Sequence, residues 1–177
     1  GLDVGDEVGP LLGLEVGPLV GFAVGDDVGP LEGLAVGELV GPLLGEAVGE
    51  LVGGNLKTLE SLAGSRSDIS TKDKILFVED TGEYLYSLDR MFWNLKRGGK
   101  LEKLKGLIIG GFKIKTDEAG EPFGKTLEEI VLEKLSEYNY PVCFDFPVGH
   151  QKNNFALKCG ALHTLGVHLN ECRLTEA

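Results

Sequence analysis

Two short stretches place residues of catalytic type where chemistry would need them. In DFPVGHQKNN (145–154), His150 follows the apolar run PVCF and sits in a glycine-containing loop. In KILFVED (74–80), Glu79 and Asp80 close an apolar run that reads as a buried strand. A histidine near its unperturbed pKa can take a proton from a hydroxyl and return it to a leaving amine, while a carboxylate fixes its tautomer and steadies the imidazolium. Such a pair needs a nucleophile. The tempting one is Ser67 of GSRSDIS, followed by Asp68 and Ile69, but that stretch is dense in Ser, Arg and Asp and reads as an exposed loop between a helix and a strand. An elbow nucleophile requires a strand before it and a helix after it. Ser67 is therefore not expected to serve, and the nucleophile is left unknown. The structural alternative is a loop histidine hydrogen-bonded to backbone and a carboxylate capping the helix that follows.

The elements that must position these groups are legible from periodicity. NLKTLESLAG reads as a short helix capped by Asn55 and stopped at Gly64, and KILFVED as the first strand. In EYLYSLDRMFWNLKRGG, Leu85, Leu88, Phe92 and Leu95 recur at helical spacing and Gly98-Gly99 end the helix. LKGLIIGGF is a second strand. Thr126 and Glu129 form a capping box opening a helix whose inner face is Leu127, Ile130, Val131 and Leu135. PVCFDF is a third strand, and the tail, turning at Gly160 and Asn170, reads as antiparallel strands. The expected fold is α/β: a mixed sheet with flanking helices, a parallel part and an antiparallel β-tail. Open sheets of this kind expose ligands beyond the carboxyl ends of their strands, where both Glu79 and His150 fall.

Other chemistry-bearing residues have simpler readings. Glu83 is first-turn charge on a helix, Arg90 and Lys96 belong to a solvated helix face, and Phe92 and Trp93 are core or interface aromatics. His163 and His168 sit in the alternating tail without acids at ligand spacing, so no metal site and no cofactor is expected. Cys143, Cys159 and Cys172 are odd in number and lack CxxC spacing, which fits reduced thiols in a cytoplasmic setting.

Charge divides the chain. Residues 1–54 carry ten of the 28 acids and none of the 17 Lys and Arg residues, so nearly all of the net charge of −11 lies there. The remainder is almost neutral, which argues against nucleic acid. No run approaches the length of a membrane span, so no membrane partner is expected. Glycine occupies every fourth position from Gly1 to Gly53, with Val or Leu ahead of each next glycine except at Glu32. The glycines disfavour helix, and Pro10, Pro18, Pro30 and Pro42 disfavour a long sheet. The expected organisation is an acidic Gly-x-x-Val repeat over 1–49 and a globular domain over 50–177.

The segments GGNL (53–56), ILFVEDTGEYLYSLDRMFWNLKRGGKL (75–101), GLIIGGF (106–112) and YPVCFDFPVGHQKNN (140–154) resemble the C-terminal half of the LD-carboxypeptidases. These are serine peptidases comprising muramoyl-tetrapeptide carboxypeptidases and microcin-immunity hydrolases. The resemblance runs from about Glu50 to about Lys158. It implies that Glu79 and His150 are two members of a Ser-His-Glu triad, and that Gly54 and Asn55 belong to the GGN turn shaping the floor of a substrate cleft. It also implies a metal-free cytoplasmic hydrolase, usually a homodimer, that removes the terminal D-alanine from peptidoglycan-derived tetrapeptides. Family members carry their nucleophile on an N-terminal domain, in whose place the glycine repeat stands here, and no serine precedes Ser61. The chain is thus expected to be inactive alone and to need a nucleophile domain. The other reading is a non-catalytic binding or structural fragment with an acidic spacer.

Overall fold

The computed structural model describes residues 44–116, 122–168 and 171–177. The elements run β1 (Gly45–Asn55), α1 (Leu56–Leu62), β2 (Lys74–Glu83), α2 (Leu85–Arg97), β3 (Gly106–Ile114), α3 (Leu127–Leu135), β4 (Val142–Cys143), β5 (Leu162–His168) and β6 (Glu171–Glu176). One sheet takes all the strands in the order β4-β3-β2-β1-β5-β6. The first four are parallel to their neighbours, and β5 and β6 are antiparallel additions. Each step from β1 to β4 moves one place in the same direction. Right-handed crossovers then put all three helices on one face.

The two faces accordingly have separate cores. Leu76 and Val78 of β2 and Leu107 and Ile109 of β3 pack against Leu56, Leu88, Phe92, Leu95, Ile130 and Val131 of the helices. Their alternates, Ile75, Phe77 and Ile108, join Leu51, Val148, Leu165 and Val167 on the opposite face, which the 144–157 segment partly covers. The expected α/β architecture with an antiparallel tail is the one observed. The capping box is present, with Glu129 N donating to Thr126 Oγ1 at 3.2 Å and Thr126 N donating to Glu129 Oε2 at 2.7 Å.

Two segments depart from expectation. Strand β1 takes in the last two repeat units, GEAV and GELV, and runs across the 49/50 division drawn from composition. The last proline of the repeat is Pro42, so nothing in these units removes a ladder donor, and strand alternation sends Leu51 to one face and Val52 to the other. PVCFDF contributes only Val142–Cys143 to the sheet, because Asp145 adopts a left-handed conformation (φ 52°) that turns the chain off the edge. The remainder of the repeat and the turn expected at Asn170 lie outside the described residues.

Sequence patterning also missed a buried cation. Lys134 of α3 is wholly buried, ion-paired to Asp89 of α2 and to Glu133 (3.0 Å), with its ammonium over the Trp93 ring. Cys143 is a buried free thiol whose pKa is pushed up by its neighbour Cys172 and by burial.

Candidate functional site

Alternation along β2 separates its two terminal acids. Asp80 points to the helix side, where it is buried and accepts from Lys57 N at 2.8 Å and Thr81 N at 2.7 Å. It therefore caps the start of α1, the helix before its strand rather than the helix after it that the sequence suggested. Glu79 points to the other face, level with Asn55 on β1. Its side chain is 12% exposed, and its Oε2 lies 2.5 Å from Nδ1 of His150, whose side chain is 47% exposed. The two atoms are in direct hydrogen-bond contact, closer than the roughly 2.7–2.9 Å usual for a charge-assisted N–H···O bond.

Glycine lets the histidine loop come this close. Between the β2 and β3 pairs Val78↔Ile109 and Asp80↔Phe112, the ladder carries an extra residue on β3, at Gly110-Gly111. The loop seats on that bulge: Gly111 N donates to Val148 O at 2.7 Å and His150 N donates to Gly111 O at 3.2 Å. A Cβ on Gly110 would stand 2.5 Å from Val148 O. Gly149 is more constrained still, with φ +93° and an added Cβ only 2.4 Å from Glu79 Cβ. No side chain fits there, so Gly149 is what brings the imidazole onto the carboxylate. Gln151 braces the same turn, its amide donating to the carbonyls of Phe146 and Val148.

With Glu79 ionised, Nδ1 carries the proton and donates, leaving Nε2 as the basic nitrogen. Nε2 has no hydrogen-bond partner among the described residues, and nearly half of the His150 side chain is open to solvent. Beside the loop, burial and the nearby Glu128 carboxylate push the Asp145 carboxyl above its ordinary range. Such a site can accept a proton from an approaching hydroxyl and store it while Glu79 compensates the charge.

The other candidates separate clearly. Gly54 and Asn55 end β1 beside Glu79, but the Asn55 carbonyl accepts from Thr58 N at 3.0 Å and Thr58 Oγ1 at 3.1 Å, so this side chain caps α1. Ser67 lies in an exposed turn that precedes β2, and the neighbouring Asp68 is tied to Lys100 at 2.7 Å. From Lys74 to Glu79 the strand covers roughly 16 Å, so Ser67 is at the opposite end of the sheet. His163 is buried with Nδ1 3.0 Å from Ala161 O, and His168 is exposed, 3.9 Å from Glu46. Neither approaches the pair as a partner. Among the described residues no helix is long and apolar enough to cross a membrane. Gly110-Gly111 and Gln151 were not identified as site-building residues from sequence; the only signals were the paired glycines closing GLIIGGF and the polar run after GH.

The family model for the LD-carboxypeptidase C-terminal domain matches residues 48–165. The probable murein peptide carboxypeptidase of Bacillus subtilis is 33% identical over 112 residues, covering 61% of this chain and 34% of that protein. The chain thus spans about a third of the length of the curated relatives it matches. Among solved structures, the muramoyltetrapeptide carboxypeptidase from Oxalobacter formigenes superposes with a TM-score of 0.65 at 30% identity, over 73% of this chain and 44% of that one. The microcin C7 self immunity protein MccF, solved with glutamyl sulfamoyl guanosine, gives 0.62 at 25% identity, over 70% of this chain and 36% of its own.

Proposed function

The chain belongs to the LD-carboxypeptidase C-terminal domain family, and from that premise we propose that the segment from β1 to β6 is the base-bearing half of a serine-type LD-carboxypeptidase. The substrate class is peptidoglycan-derived tetrapeptides and the product is free D-alanine. The observation that carries the reading is the 2.5 Å contact between His150 Nδ1 and Glu79 Oε2 at the carboxyl end of the parallel strands. In this mechanism Nε2 of His150 removes the proton of a serine hydroxyl as its oxygen attacks the carbonyl preceding the terminal D-alanine. The carbon–nitrogen bond then breaks, and the same nitrogen delivers the proton to the departing amine. Water, deprotonated in turn by His150, releases the acyl group. Glu79 stays ionised throughout and holds the tautomer.

The serine comes from outside this surface. No serine precedes Ser61, and Ser67 lies at the far end of β2. A companion nucleophile domain, or a second chain in a homodimer, supplies it in the cytoplasm, and Gly54 and Asn55 form the cleft floor through their backbone. The acidic repeat is then an appended segment.

Release of D-alanine from the tetrapeptide by the purified chain mixed with a relative's serine-bearing N-terminal half is the test. Release that disappears in His150→Ala supports hydrolysis. The same loss of a serine at the pair favours a second reading, a non-catalytic binding module with a repeat spacer. That reading gains if the clean wild-type chain releases nothing even when a relative's serine-bearing N-terminal half is added.

A further inference from the structure

The loop that carries His150 is closed on itself at two points. Phe155 N donates to Pro147 O at 2.9 Å, and Gly149 N donates to the side-chain carbonyl Oδ1 of Asn154 at 3.1 Å. The first bond sets the width of the loop; the second acts on Gly149, whose backbone rests against the Glu79 side chain. Gly149 is in the left-handed region, its Cα faces Glu79 Cβ and Oε2 at distances that exclude any side chain, and its carbonyl accepts from Gln151 N at 3.0 Å. Its N–H is the donor left over. The carbonyl of the same peptide, Val148 O, is held by Gly111 N at 2.7 Å, so the Asn154 bond fixes the other end, and without it the Gly149 side of the peptide can tilt and carry the following imidazole with it.

We propose that Asn154 is a positioning residue for the His150–Glu79 pair: its side-chain carbonyl pins the Gly149 amide, and so fixes the turn that sets His150 Nδ1 on the Glu79 carboxylate. The inference rests on the proposed hydrolase reading for its functional meaning, but its geometry stands without it. Three contacts then locate the histidine from three sides. The β3 bulge holds the main chain of His150 through Gly111 O, Glu79 holds its ring, and Asn154 holds the peptide before it. Asn suits the task because it presents a neutral acceptor of short reach. An anionic acceptor there would compete with Glu79 for the imidazolium charge. The difference matters because a displacement of about 1 Å at a catalytic group can cost on the order of 10²-fold in rate.

The experiment is nuclear magnetic resonance on the full chain with nitrogen-15 in histidine and backbone. Three results are expected. In the wild type the Gly149 amide exchanges with solvent more slowly than those of Lys152 and Asn153 in the same exposed loop, and His150 shows one Nδ1-protonated tautomer. In Asn154→Ala the Gly149 amide loses that protection, the His150 tautomer becomes mixed, and its Nδ1 proton exchanges at least tenfold faster, while the signals of buried His163 stay in place. In Asn154→Asp, at a pH where His150 is neutral, the tautomer is restored. Unprotected Gly149 in the wild type overturns the proposal without any variant. So does an unchanged His150 in Asn154→Ala, or an Asn154→Asp chain that behaves like Asn154→Ala. Glu79→Gln separates the two ideas: if it leaves the His150 tautomer unaltered, the pair itself fails, whereas a failure confined to Asn154 leaves the pair intact.

Discussion

The two faces of the sheet hold a polar pair each, and they are built in opposite ways. On the helix side, Lys134 and Asp89 meet between α2 and α3, with the ammonium wholly buried among aromatic and aliphatic side chains. On the other side, His150 and Glu79 meet at the strand ends, and the imidazole is nearly half exposed. The first pair is held by packing: it joins α2 and α3, whose Leu88, Phe92, Ile130 and Val131 are fully buried in the core. The second is held by glycines and main-chain hydrogen bonds in a loop with few buried side chains. Stability is thus concentrated where no chemistry is proposed, and the group with a free basic nitrogen sits where a partner can reach it.

That contrast can be broken by variants that should each affect one side only. The largest effect belongs to the site: His150→Ala should lower D-alanine release on the order of 10⁶-fold in the chain completed by its serine, with the melting temperature unchanged. A comparable melt change would mean the loop is part of the core. Next, Phe92→Ala should cost about 3–5 kcal/mol of stability, read by urea denaturation, without altering the His150 ring signals. Asp89→Ala, which leaves the buried ammonium with Glu133 as its one carboxylate partner, should cost about 2 kcal/mol. If it proves neutral, Lys134 reaches solvent and the helix layer is looser than described.

Acid sharpens the comparison further. Hydrogen bonds from Lys100 and Gly64 N hold Asp68 below its ordinary pKa, and those from Lys125 and Lys134 do the same for Glu133. A depressed carboxylate stabilises the fold above its unfolded pKa, and that contribution is lost as the pH falls through the folded value, here below about 4. Asp145, in the loop, is shifted the other way by burial and Glu128, so its contribution is present at low pH and lost as pH rises through the raised value. Melting curves should therefore show Asp68→Asn reducing the acid sensitivity of the helix layer. Asp145→Asn should raise the melting temperature at pH 7 slightly, an effect kept small by solvent screening at this exposed residue, and Asn also tolerates the left-handed backbone. A fall instead would assign Asp145 an ionised partner.

Much of this was legible in the sequence because it rests on local rules. The helices were marked by apolar spacing and by the Thr126–Glu129 box, whereas the places of Glu79 and His150 after apolar runs only made them candidates, and the family resemblance singled them out. The alternating tail also announced its antiparallel strands. What escaped depends on contacts between distant segments. Nothing local shows that GEAVGELV lies between β2 and β5, since its composition matches the repeat before it and only its lack of proline sets these units apart from the proline-bearing ones. Lys134 looks like an ordinary exposed lysine until α2 places Asp89 and Trp93 over it. The separation of Glu79 from Asp80 follows from strand alternation, but which of the two meets His150 depends on which face the helices occupy.

The central claim is that a carboxylate at 79 fixes the imidazole at 150 with Nε2 free to act. The direct measurement is the nitrogen-15 spectrum of the His150 ring in the full chain above its titration midpoint, compared with Glu79→Gln. A single Nδ1-protonated form in the wild type that gives way to a mixture in the variant is the predicted result. A wild-type ring protonated on Nε2, or one indifferent to Glu79→Gln, would contradict it.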